Sequence, residues 1–149
     1  MVEPELIQKD VLTKLKTFQI YFTGITLHFA ETQTQDDDFN YPAVRVMIIN
    51  QIPVGNGTDR LKLSRVNFAV RVYSEKRSDY EANTVAGVIE KRLFNRQING
   101  TDLSGNASYR LDRIDSSELK SAVRLADRLW MSEIFFNSNV TTYSDIGTT

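Results

Sequence analysis

Residues 61–94 constrain the fold of this chain more than any other stretch. They read as one strand feeding one amphipathic helix. Val66, Phe68, Val70 and Val72 share one parity, and Arg65, Asn67, Arg71 and Tyr73 share the other. That contrast at period two marks a strand with one buried face. Ser78 and Glu81 then stand three positions apart ahead of a helical pattern, the spacing of a capping box. Beyond them Ala82, Val85, Ala86, Ile89 and Leu93 form an apolar stripe, with Glu90, Lys91 and Arg92 left for water. A strand with one apolar face and a helix with one apolar stripe predict a helix laid on a sheet. No side chain in this unit carries evident chemistry.

The rest of the chain adds strands and little else. The 149 residues fit one domain, 1–149. A helix is predicted over residues 1–17, with Pro4 near its start and Ile7, Val11, Leu15 and Phe18 on one face. Residues 18–30 read as a strand whose parity reverses at Gly24, the mark of a bulge. His28, the lone histidine, reads as an ordinary surface or edge residue. Residues 31–41 form a polar loop around Asp36, Asp37 and Asp38. Three carboxylates in a row lack the alternate spacing and the Gly of a calcium loop, so they read as a solvated acidic loop, with weak cation binding or contact with a basic partner as the alternatives.

Residues 42–50 are a second strand, with Val44, Val46 and Ile48 on one face and Met47 and Ile49 on the other. Apolar residues on both faces predict a central strand or a subunit contact. Pro53, Gly55, Asn56 and Gly57 place a hairpin tip in residues 51–60. Residues 97–106 read as a loop and 107–115 as a short strand. Residues 116–126 read as a turn or short helix, followed by a strand to about Val140 that includes Trp130, Ile134, Phe135 and Phe136. Residues 141–149 read as a loose polar tail. The predicted class is α+β: a single domain with a mostly antiparallel sheet, an N-terminal helix and one helix packed on the sheet, in the order α-β-β-β-α-β-β.

Composition narrows function by exclusion. Eighteen basic and nineteen acidic residues give a net charge of −1, which argues against a basic clamp on nucleic acid. A protein that lines a passage for DNA without gripping it stays open. The absence of cysteine removes disulfides, thiol catalysis and zinc–thiolate sites. The acidic start Met1-Val2-Glu3-Pro4-Glu5 has no apolar core of a signal peptide, and no apolar run is long enough to predict a membrane helix. The sequence has no G-x-S-x-G, H-E-x-x-H or G-x-G-x-x-G element and no Walker lysine. The expectation is a non-enzyme with no catalytic residues, cofactor or metal.

Two sequence words carry a family resemblance. Asn40-Tyr41-Pro42-Ala43-Val44-Arg45-Val46 opens a strand after an acidic loop. Val66-Asn67-Phe68-Ala69-Val70-Arg71-Val72-Tyr73-Ser74 runs into Ser78, Asp79, Ala82, Ile89 and Leu93. With the element order, this resembles the tail-terminator and tail-completion proteins of tailed bacteriophages. The resemblance implies a structural virion protein, made in the host cytoplasm and located at the tail–neck junction. It implies a homo-oligomeric ring, typically of six, that caps the tail tube protein and joins a neck or connector protein, with DNA passing through unbound and no membrane involved. Interface candidates are Asp36, Asp37, Asp38, Arg45, Met47, Ile49, Arg71, Trp130 and Phe136. A neck or stopper role in the same particle is an alternative. A cytosolic ferredoxin-like ligand-binding domain and a metal-dependent hydrolase using Asp36–Asp38 are the readings from other classes.

Overall fold

The computed structural model describes residues 1–30, 40–58 and 61–143. The candidate residues Asp36, Asp37 and Asp38 lie outside this set. Helix α1, Pro4–Lys16, opens on its proline, carries Glu5 in the first turn and Lys14 and Lys16 in the last, and buries Leu6, Ile7, Val11, Leu12 and Leu15. These charges suit the helix dipole. A 3-10 helix, Thr17–Tyr21, continues directly from it. Then come strands β1 (His28–Ala30), β2 (Ala43–Thr58) and β3 (Leu61–Glu75), helix α2 (Tyr80–Leu93), and strands β4 (Ile98–Thr101), β5 (Ala107–Ala126) and β6 (Leu129–Tyr143).

The strands form one sheet in the order β1-β2-β3-β6-β5-β4. Only the short β1–β2 pair is parallel; every other neighbour pair is antiparallel. The predicted α+β class is therefore the observed one. The alternation on β3 is also as read: Val66, Phe68, Val70 and Val72 are fully buried. Register carries that face across the sheet, with Val46↔Val70↔Ile134 and Ile48↔Phe68↔Phe136 in line. The Phe68 and Phe136 rings stack with centroids 5.3 Å apart. Helix α2 lays Ala82, Val85, Ala86, Ile89 and Leu93 on this face, and α1 adds its own stripe to the same core. The result is two layers, with both helices on one side of the sheet.

Five local expectations are corrected. Strand β2 does not stop at residue 50 but runs to Thr58, through most of the predicted 51–60 tip. Residues 18–22 are not strand: Phe18 and Phe22 are buried while Ile20 is exposed, so Val11, Leu15, Phe18 and Phe22 continue one helical stripe. Gln19 then holds the turn, donating to the Ile25 carbonyl at 2.7 Å and accepting from the Leu27 amide at 2.7 Å. The parity reversal at Gly24 is thus a change from helix to extended chain, and Gly24 sits at φ +78. Residues 116–126 are neither turn nor helix but the second half of β5. A sixth strand, β4, occupies part of the predicted 97–106 loop. Residues Thr141 to Tyr143 belong to β6 rather than to a loose tail, and 144–149 lie outside the described residues.

The capping box also fails to form. Asp79 is the N-cap and makes no side-chain cap bond. Glu81 instead accepts a 2.8 Å hydrogen bond from the buried Ser74 hydroxyl. That contact ties the start of α2 to β3, and a local cap has given way to a tertiary bond.

Candidate assembly interface

The face of the sheet opposite the helices is uncovered by any other described element, and its side chains organise themselves. Register places Arg45 on β2, Arg71 on β3, Glu133 on β6 and Lys120 on β5 in one row. Arg71 Nε donates to Glu133 Oε2 at 2.6 Å, and the Glu133 side chain is only 9% exposed. Burial alone would lower the Arg71 pKa. The hydrogen bond to Glu133, the contact with Tyr73 and the nearby negative charge outweigh it, so the guanidinium is held above its ordinary value. The Arg45 guanidinium lies 5.7 Å from the Tyr73 ring centroid and Lys120 Nζ lies 5.2 Å from that of Phe135. Ala69, on this uncovered face, is fully buried beneath its neighbours Met47 and Phe135. The row is therefore a partly desolvated, cation-rich belt with one carboxylate at its centre.

The predicted interface residues scatter over the sheet. Arg45, Met47 and Arg71 lie on the helix-free face. Ile49 sits in the β2 bulge between Ile48 and Asn50 and is exposed. Trp130 lies on the helix side, where its Nε1 donates to the Lys76 carbonyl at 3.2 Å. Phe136 is in the core, so it is closed to a partner. The whole 130–136 run belongs to β6, which is paired on both sides, by β3 and β5.

Sequence reasoning missed a second group of exposed apolar side chains. Leu119, Val123 and Leu125 on β5 are 47%, 52% and 47% exposed. Ile52 and Val54 on β2 are 52% and 63% exposed. The signal for the β5 group was present: Leu119, Val123 and Leu125 share one parity, with Glu118, Lys120 and Arg124 on the other.

An open cleft of about 790 Å³ lies where β1 and β2 begin and β3 ends, lined by His28, Tyr41, Glu75, Lys76 and Glu81 among others. Burial first, then the Glu75 charge, raises the Tyr41 pKa above its ordinary value. Glu81 is already engaged by Ser74. Among the described residues no group of three or more His, Asp or Glu side chains is placed to hold a metal ion. No helix among them is long and apolar enough to cross a membrane.

No family model and no curated protein sequence matches the chain. Among solved structures, the chain is similar to a chain of the virion of a native gene transfer agent particle. The two are 14% identical, with a TM-score of 0.54, over 92% of this chain and 89% of the other. At that identity the likeness is one of fold, and it extends over nearly the whole length of both chains.

Proposed function

We propose that this protein is a structural component of a phage-like virion, and that within it the chain acts as a tail terminator: a ring subunit that caps the tail tube and joins it to the neck. The observation that carries the reading is the near full-length fold match to a virion chain. Three features of this chain support it. Its sheet has one face without helices, with a half-buried charged row across four strands. Its outer strands carry two groups of exposed apolar residues, Ile49, Ile52 and Val54 on β2 and Leu119, Val123 and Leu125 on β5, as a subunit finished by assembly would. Near-neutral charge suits a ring that DNA traverses without being held.

The test is direct. Purified protein is sized by sedimentation velocity and imaged by negative stain, and virions are probed for it by immunogold labelling. Rings in solution with label at the tail–neck junction are expected. Label spread along the tail, or none on virions, would refute the terminator role.

A further inference from the structure

The two long outer strands of the sheet are each covered along only one half. Strand β1 pairs with β2 only at Ala43, Val44 and Arg45. Strand β4 pairs with β5 only at Ala107, Tyr109, Arg110 and Leu111, and residues 95 and 96 extend that cover to Ile114 through two backbone bonds. Among the described residues, β2 beyond Val46 and β5 beyond Ile114 therefore have no strand on their outer side. The free halves are of similar length. They lie at opposite edges and are displaced toward opposite ends of the sheet: the free stretch of β2 lies beyond Arg45, whereas that of β5 straddles Lys120 in the same row.

We propose, building on the ring reading, that the free edge of β5 in one copy pairs antiparallel with the free edge of β2 in the next. Strand direction fits. Along β2, β3, β6 and β5 each step is antiparallel, so β2 and β5 run opposite ways and a following β2 continues the alternation. Shape fits as well. Strand β4 ends the free stretch of β5 on one side and β1 ends that of β2 on the other, so each acts as a stop that sets the register. The apolar residues fit too: Ile49, Ile52 and Val54 lie on one free edge, and Leu119, Val123 and Leu125 on the other. The β2 segment 47–54 carries no charge, so it meets the mixed charges of the β5 edge, Asp115 and Glu118 with Lys120 and Arg124, without like-charge repulsion. Two different patches meet, as a closed ring requires.

The stagger also closes. Four strand spacings of about 4.8 Å separate β2 from the next copy's β2. The free halves are offset by about six residues, or roughly 20 Å at about 3.4 Å each. A ring with no net climb then needs strands that lean about 45° to its axis, within the roughly 35–45° of closed barrels. Pro53 has no amide hydrogen to give, and Asn83 Oδ1 already takes the Ala122 amide at 2.7 Å. The pairing therefore uses the positions around these two.

The absence of native cysteine makes the test clean. Ile52 and Val123 lie on the same helix-free side and are exposed in the free subunit. Ile52→Cys and Val123→Cys proteins are prepared singly, mixed, and treated with a short bis-maleimide. A crosslinked pair well above that of either protein alone is expected only in the mixture, and the double variant should give a ladder up to the full ring. In parallel, Ile52→Lys and Val123→Lys should keep the wild-type urea midpoint but sediment as smaller species. Rings of native size in both lysine variants, with no excess crosslink in the mixture, overturn the edge pairing and leave the ring standing. A wild-type chain that remains monomeric at every concentration overturns both.

Discussion

Gly100 on β4 provides the sharpest test of the packing. It pairs with Tyr109 on β5. A Cβ placed there would fall inside the Tyr109 ring, against Cζ, Cε1 and Cε2, closer than any non-bonded contact. The ring has nowhere to go. Tyr109 is 1% exposed, and its hydroxyl donates to Asp10 Oδ2 at 2.6 Å and lies 3.1 Å from the Leu6 carbonyl. Asp10 in turn accepts the Thr101 amide at 3.1 Å. Gly100→Ala must displace β4 or expel the ring from α1. Overpacking a core site costs about 1–3 kcal/mol, and breaking the hydroxyl's bond to the Asp10 carboxylate adds about 2 kcal/mol. The expected loss is about 3–5 kcal/mol, a large share of the roughly 5–15 kcal/mol that holds a typical domain folded.

Urea denaturation followed by far-ultraviolet circular dichroism measures that loss as a fall in midpoint at constant slope. A double-mutant cycle with Tyr109→Leu isolates the clash. Removing the ring should relieve most of the alanine penalty, a coupling of about 2 kcal/mol or more between the two sites. A Gly100→Ala protein within 1 kcal/mol of wild type, or penalties that simply add, would refute the argument that Tyr109 is pinned.

Three further outcomes follow from named contacts. Burial, the hydrogen bond to Asp10 and the Asp10 charge all raise the Tyr109 pKa above the ordinary 10.0. A raised pKa means that its stabilising effect is complete below pH 10 and is lost as pH climbs beyond it; wild type should weaken above pH 10 in alkaline melts, and Tyr109→Phe should show a shallower decline. Val70→Asp places a carboxylate between Val46 and Ile134 at a fully buried site; without a partner it costs several kcal/mol, and the purified variant should lack cooperative unfolding. Arg71→Ala leaves the Glu133 carboxylate almost buried with its 2.6 Å partner gone; a loss of about 1–3 kcal/mol is expected by urea titration, and Glu133→Gln in the same background should recover part of it.

The parts of the fold that were legible in sequence are those where one face meets water and the other does not. Strand β3 and helix α2 show both periods because each is buried on one side only. Where that contrast vanishes, so does the signal. Residues 117–126 are exposed on both faces apart from Ala122, and bulges at Ser116/Glu118 and Lys120/Val123 shift the parity again. The alternation of Leu119, Val123 and Leu125 with charged residues therefore marks no buried face and competes with an equally fair helical stripe. The 18–22 segment failed for another reason: its aromatic and β-branched residues favour a strand, but the spacing of Phe18 and Phe22 belongs to α1, and tertiary burial prevailed over propensity. The interface was least legible. Met47, Ile49 and Arg45 could be found from the two-sided apolar pattern of β2. The Arg71–Glu133 pair depends on register between strands 62 positions apart, which no local pattern encodes.

The free edges raise a question of design. A long unpaired strand invites promiscuous association, and monomeric proteins shorten or guard it. Among the described residues the edges are guarded most closely at their junctions with covered sheet. Gln8 Nε2 caps the Val46 carbonyl at 2.7 Å, where β1 stops. The backbone of residues 95 and 96 satisfies Ile114, where β4 stops. Past those points the guards thin out to Asn83 on the Ala122 amide and to Pro53. Over the β2 stretch Ile49, Ile52 and Val54 are exposed, and over the β5 stretch Leu119, Val123 and Leu125 are exposed between charged neighbours. Guarding would come to nothing if the edges were meant for water along their whole length. Guards at the boundaries and apolar residues beyond them are what a defined docking register requires. A second copy then finds one stretch of each edge open, and the sheet can extend by one partner at each side in a single alignment.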